Sequence, residues 1–125
     1  MSRKPTWTIL LIDAHLMSRN TLKGQLEYYH YIVLSAAGAR NAIQMFQQNQ
    51  RTVDLVILDL KLKDAPCIKV LEILRKLSPE LKIIAITDQS ITENQPAFKG
   101  LTGLLRKPIR TDRLLALVGK ALGRI

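Results

Sequence analysis

Cysteine, aromatic side chains and acidic side chains are all scarce in this chain, and each shortage excludes something. The single cysteine, Cys67, rules out an intramolecular disulfide framework and points to a reducing compartment. Its simplest reading is a small, partly buried apolar residue. Aromatics make up only 5% of the chain, so Leu, Ile and Val must form the core. No apolar run approaches the roughly 18 residues that suggest a membrane span. The run that follows the basic start, Trp7 to Ile12, is too short for a signal-peptide core and ends on Asp13. A soluble, cytoplasmic protein is expected. Acidic residues number 10 against 19 Lys and Arg, which gives a net charge of +9 and a pI near 10.1. Such an excess suits nucleic acid, an acidic partner, or simply a solvated surface. Most of the basic residues are scattered, and only Arg106, Lys107, Arg110 and Arg113 cluster. With no aromatics interleaved there, nucleic-acid binding is not expected of this domain.

What remains is a 125-residue chain that is 47% apolar, the length of one domain with a real core. Its periodicity alternates between two types. Short apolar runs at 7–12, 31–36, 53–59, 82–86 and 101–105 read as buried strands. Between them lie stretches with helical spacing. Residues 16–29 carry Leu16, Met17, Leu22, Leu26 and Tyr29, and 39–50 carry Ala39, Ala42, Ile43 and Phe46. A helix from about Pro66 carries Val70, Leu71, Ile73, Leu74 and Leu77, and Ser78-Pro79 stops it. A last helix at 111–122 opens on Thr111 and Asp112 as a cap pair. Residues 88–99 should hold another helix, but they are poor in apolar residues and contain Pro96, so a short or distorted one is expected. This alternation predicts an α/β fold, a doubly wound five-stranded parallel sheet of order 2-1-3-4-5, flavodoxin-like.

In that order the first and third strands are neighbours where the winding reverses, and ligands bind beyond the strands' C-terminal ends at such a point. Asp13, Asp59, Thr87 and Lys107 each fall at one of those ends. Taken singly they read as a turn residue, a cap, a strand former and a solvated lysine. Taken together they fit phosphoryl transfer. Two adjacent carboxylates need a shared proton or a cation, and an oxygen-only cluster favours a hard ion such as Mg²⁺. One carboxylate can attack a phosphoryl donor to give an aspartyl phosphate. An ammonium and a hydroxyl can hold the phosphoryl oxygens.

From about Thr8 to Leu122 the chain resembles the receiver domain of bacterial two-component response regulators. The resemblance rests on ILLID with Asp13, Arg19 six residues later, DLVILD with Asp59, Thr87, Gly100 and Lys107-Pro108, a step the family usually joins by a cis bond. It implies that Asp59 is the phosphoacceptor, Thr87 the switch hydroxyl and Lys107 the phosphate-binding lysine. The implied metal set is Asp13, Asp59 and the backbone carbonyl of Lys61. The implied donors are a histidine kinase, a phosphotransfer protein or a small acyl phosphate. A homodimer through the fourth helix, fifth strand and last helix is a further implication.

The chain departs from that pattern at several places. Ala14 replaces the second of two adjacent acids, so weak Mg²⁺ binding is expected, and His15 beside it reads as an exposed helix-start residue. Lys61 is either a charge leaning over the crevice or an ordinary loop lysine. Leu62-Lys63 replace the usual Met-Pro, Asp88 replaces a small residue, and Leu104 stands where a switch aromatic is usual. The stretch from Thr87 to Gly100 is also about two residues short of the family's usual length. Two functional readings follow, a phosphorylatable receiver or a pseudo-receiver that serves as a phosphorylation-independent interaction module. An unrelated ligand-binding flavodoxin-like domain is disfavoured, because no Gly-rich phosphate loop follows the first strand.

Overall fold

The computed structural model describes residues 6–89 and 96–124. In chain order the elements are β1 (Thr8–Ile12), α1 (Leu16–Tyr28), β2 (Ile32–Ala36), α2 (Ala39–Gln48), β3 (Val53–Asp59) and α3 (Cys67–Leu77). They are followed by β4 (Lys82–Thr87), a 3-10 turn (Pro96–Phe98), β5 (Gly103–Arg106) and α4 (Thr111–Ala121). The strands pair in parallel in the order β2-β1-β3-β4-β5, as the alternation of periods predicts.

Side chains alternate across a strand, and here both faces are covered, which is why β1 and β3 are apolar almost throughout. Ile9, Leu11, Leu55, Ile57, Ile84 and Ile86 pack with Leu22 and Leu26 of α1 and Leu114 and Val118 of α4. On the opposite face Leu10, Ile12, Val56, Leu58 and Ile83 pack with Ala42 and Phe46 of α2 and Val70, Leu71 and Leu74 of α3. Fully burying one such side chain contributes about 1.5–3 kcal/mol. The two layers fix the sheet, and with it the positions of the residues at its C-terminal edge.

Several local expectations change. Only Leu22 and Leu26 of α1 are buried, whereas Leu16 and Met17 are 59% and 73% exposed. The helix begins beyond the C-terminal end of β1, and the apolar residues of its first turn stay in solvent. Tyr29 lies just past the helix and stacks edge-on against Tyr28, with ring centroids 5.1 Å apart. The α3 stripe is narrower than expected, because Ile73 is exposed. Thr111 and Asp112 are not a cap pair: Arg110 occupies the N-cap position of α4 without a side-chain cap bond. The Asp112 carboxylate instead accepts from the Arg110 guanidinium at 3.0 and 3.2 Å, and Thr111 Oγ1 accepts from Gln25 Nε2 at 2.8 Å. β5 starts two residues later than its apolar run. Its first residue, Gly103, lies so close to α4 that a Cβ there would stand 2.5 Å from Leu117 Cδ2. Among the described residues the 88–99 stretch shows one 3-10 turn, and positions 90–95 fall outside them.

Candidate functional site

The sheet order makes the site. Ile12 lies beside Leu58, Asp59 beside Ile86, and Thr87 beside Arg106. Asp13, Asp59, Thr87 and Lys107 therefore emerge side by side at one edge, as the sequence predicts. Lys107 N–H donates to the Thr87 carbonyl at 2.7 Å, and the Lys107–Pro108 peptide is cis. From there the side chain runs back toward the reversal point. Its Nζ lies 2.7 Å from Asp59 Oδ2 and 3.2 Å from Asp13 Oδ2. One ammonium thus bridges two carboxylates that are almost wholly buried.

The surroundings of the two acids differ. Asp13 Oδ2 accepts the Ser18 hydroxyl at 2.6 Å, and Oδ1 accepts the His15 amide at 3.0 Å. Arg19 Nη1 donates to the Asp13 carbonyl at 2.9 Å, which explains an arginine six residues downstream. Asp59 receives less help: the Lys61 amide on Oδ1 at 2.8 Å, and Lys107 on Oδ2. Burial is the largest effect on both and pushes both upward. At Asp13, Ser18, His15 and Lys107 outweigh it and hold the carboxyl below its ordinary value. At Asp59 burial wins over the Lys107 and Lys61 hydrogen bonds, and the nearby Asp13 charge adds to it, so that carboxyl sits above its ordinary value. Desolvation works against the Lys107 ammonium, but the charges and hydrogen bonds of Asp59 and Asp13 raise it overall.

The remaining sequence-predicted residues take clear places. Thr87 is buried, and its hydroxyl accepts the Gln89 amide at 3.1 Å, so its own proton is left to donate. The Ala14 side chain offers no oxygen. His15 is the exposed helix-start residue expected, and its Nδ1 accepts the Ser18 amide at 3.1 Å. The Lys61 ammonium faces Asp88 at 3.9 Å rather than the carboxylates. Both side chains are at least half exposed, so the pair contributes little to stability. Leu104 is half-buried on β5.

The sequence reading passes over Ser18, whose hydroxyl bonds Asp13, and Gln89, whose amide bonds Thr87. A serine inside a helix carries no signal that it will reach back five residues. Among the described residues no group of three His, Cys, Asp or Glu side chains is arranged to hold a metal. The oxygens that could hold one are those of Asp13, Asp59 and the Lys61 carbonyl. Their type suits a hard cation that keeps several waters, and the Ala14 side chain adds no oxygen to the set.

Comparison with known proteins agrees with this geometry. The profile of the response regulator receiver domain matches residues 9–119. The chain is 30% identical over 116 residues to the transcriptional regulatory protein ZraR of Escherichia coli O157:H7, covering 91% of this chain and 26% of the relative. To the DNA-binding transcriptional regulator NtrC of a Bradyrhizobium strain it is 28% identical over 120 residues, covering 94% and 25%. The chain thus spans about a quarter of the length of these relatives. A receiver domain protein from Clostridium thermocellum superposes with a TM-score of 0.86 at 26% identity, covering 94% of this chain and 95% of the other. The response regulator TrrA of Thermotoga maritima, solved in complex with Mg²⁺ and BeF, gives 0.86 at 26% identity, with 94% and 100% covered. No helix among the described residues is long and apolar enough to cross a membrane. With the sheet order, the bridged carboxylates and a profile match over most of its length, this chain belongs to the response regulator receiver domain family.

Proposed function

We propose that the chain works as one receiver unit that accepts a phosphoryl group on Asp59. The observation that carries this assignment is the unequal hydrogen bonding of the two carboxylates that Lys107 bridges: Asp13 also accepts the Ser18 hydroxyl and the His15 amide, whereas Asp59 accepts the Lys61 amide alone. Paired acids in unequal surroundings take different roles. Asp13, with both oxygens hydrogen-bonded and its charge stabilised, suits a fixed anion. Asp59 has fewer partners, so it suits the nucleophile.

A carboxylate oxygen of Asp59 attacks the donor phosphorus. As the new O–P bond forms, the bond to the leaving atom breaks, and that atom takes the electron pair. The leaving atom is an imidazole nitrogen of a phosphohistidine or the carboxyl oxygen of an acyl phosphate. Lys107 gives up its contact with Asp59 and follows the charge onto a phosphoryl oxygen. The Thr87 hydroxyl, whose proton is left to donate, bonds another phosphoryl oxygen. Catalysis of this kind is chiefly positioning and charge stabilisation.

Mg²⁺, held by Asp13, Asp59 and the Lys61 carbonyl, would neutralise charge on the transferring group. Ala14 weakens its binding. A histidine kinase or a phosphotransfer protein is the proposed donor. One relative is the sensor histidine kinase RcsC of Salmonella typhi, 24% identical over 108 residues. A dimer through β5, α4 and the preceding stretch remains the proposed self-association.

Intact mass after incubation with acetyl phosphate, with and without Mg²⁺, tests the assignment. A gain of about 80 Da, the mass of one phosphoryl group, is expected in the wild type and absent in Asp59→Asn. No gain with any donor, restored by Ala14→Asp, would overturn it in favour of a phosphorylation-independent interaction module.

A further inference from the structure

α2 begins without a cap of its own. Its N-cap residue is Gly38, which has no side chain to offer the first amides of the helix. The cap comes from another element. Asp64, on the loop from β3 to α3, accepts the Ala39 amide at 2.8 Å and the Arg40 amide at 3.1 Å. Those two amides hold the Asp64 carboxyl below its ordinary value.

Gly38 is glycine for room rather than for conformation. Its backbone is extended, with φ −151 and ψ 177, which any residue adopts. A Cβ there would stand 2.9 Å from Asp64 Oδ2 and 3.0 Å from Oδ1. The absent side chain is what lets the Asp64 carboxylate reach the helix.

The same loop carries the Lys61 amide that holds Asp59 Oδ1. At its start, Leu60 N–H is fixed to the Ile86 carbonyl at 2.9 Å. Asp64 pins the far side, so the Lys61 peptide is held between two anchors. We propose that Asp64 is a positioning residue: by docking on the N-terminus of α2 it holds the Lys61 amide against Asp59 and so orients the carboxylate for attack. The consequence for phosphorylation rests on Asp59 being the phosphoacceptor, whereas the effect on the Lys61 amide does not.

The test uses Asp64→Ala, Gly38→Ala, the double variant and Asp64→Asn, all in the full chain. Two measurements are made: hydrogen exchange of the Lys61 amide, and the rate of Asp59 phosphorylation against acetyl phosphate concentration. Gly38→Ala pushes the Asp64 carboxylate off the helix without touching the site, so it should reproduce Asp64→Ala. In both variants Lys61 exchange should accelerate. The maximal rate should fall about 5–20-fold, within the range that misplaced reacting groups produce, with the half-saturating donor concentration unchanged. The double variant should be no worse than either single one, because both break the same contact. Asp64→Asn, which also caps helices well, should restore most of the rate.

Unchanged Lys61 exchange in both single variants would overturn the tether, whatever the phosphorylation data. Fast Lys61 exchange with a wild-type rate would overturn the positioning role. A wild-type protein that takes no phosphoryl group would instead fault the Asp59 assignment and leave the Lys61 amide to decide the tether.

Discussion

Replacing Lys107 with alanine should destabilise the fold, and the loss should depend on Asp59. The ammonium lies 2.7 Å from one buried carboxylate and 3.2 Å from the other. At an effective dielectric near 20 each contact represents on the order of 5–6 kcal/mol of gross attraction, most of it offset by desolvating the three groups. Stripping one partner from a buried pair costs about 3–5 kcal/mol. Because the Lys107 side chain is itself 20% exposed, about 2–4 kcal/mol is expected at pH 7, a fall of roughly 6–20 °C in Tm for a chain of this size. The loss comes from two like charges left side by side, so removing one of them should recover much of it, and Lys107→Ala/Asp59→Asn should melt well above Lys107→Ala. Without the ammonium, the two carboxyls must share a proton. The variant should therefore gain stability relative to wild type as pH falls from neutral toward 5. Urea unfolding at several pH values, followed by circular dichroism, measures all of this. A single variant within 0.5 kcal/mol of wild type, or a double variant no more stable than the single, would show that the bridge does not hold the site together.

Three further perturbations have defined outcomes. Ser18→Ala removes a 2.6 Å hydrogen bond to a charged group and should cost about 1.5–3 kcal/mol at neutral pH. Asp13 titrates below its ordinary value, so its stabilisation is complete above that value and is lost as pH falls through the lowered one. Losing Ser18 narrows that gap and should move the acid-unfolding midpoint to higher pH; an unmoved midpoint would refute the role given to Ser18. Ala14→Asp should tighten Mg²⁺ binding about 10–100-fold by isothermal titration calorimetry, taking the cost of lost supporting ligands as a guide, and an unchanged affinity would refute the account of the incomplete donor set. Gly103→Ala should cost about 1–3 kcal/mol through overpacking against Leu117, and Leu117→Ala in the same chain should relieve it if that contact is the cause.

The strands and their order were legible because a doubly covered parallel sheet needs near-continuous aliphatic runs, and VDLVILD or KIIAIT can hardly be placed elsewhere. The site was legible for the same reason, since Asp13, Asp59, Thr87 and Lys107 are read at the ends of those runs. What escaped depends on contacts between distant elements. The exposure of Leu16 and Met17 follows from where α1 meets the end of the sheet, which helical spacing does not encode. Thr111 reads as a cap because it precedes a helix, but Gln25 on α1 claims its hydroxyl. Asp64 reads as a loop residue, because the amides it caps lie 24 and 25 positions earlier in the chain. The bare N-cap glycine of α2 is the one sequence signal that a partner for those amides had to come from elsewhere.

The local charge balance gives Ala14 a meaning beyond a missing ligand. Asp13, Asp59 and Lys107 sum to one negative charge, and a second acid at position 14 would make it two. At one negative charge, a single ammonium within hydrogen-bond reach of both carboxylates supplies most of the compensation the buried pair needs. A phosphoryl group on Asp59 would alter that balance, because it brings added negative charge and three acceptor oxygens while Lys107 is the one cation bonded to these carboxylates among the described residues. Were Lys107 to follow the phosphoryl group away from Asp13, that carboxylate would keep the Ser18 hydroxyl and the His15 amide as partners. Those two bonds are already made in the unphosphorylated structure. Asp13 is thus held by two hydrogen bonds that do not involve the ammonium, an arrangement that suits Lys107 to be the moving charge of the proposed phosphorylation.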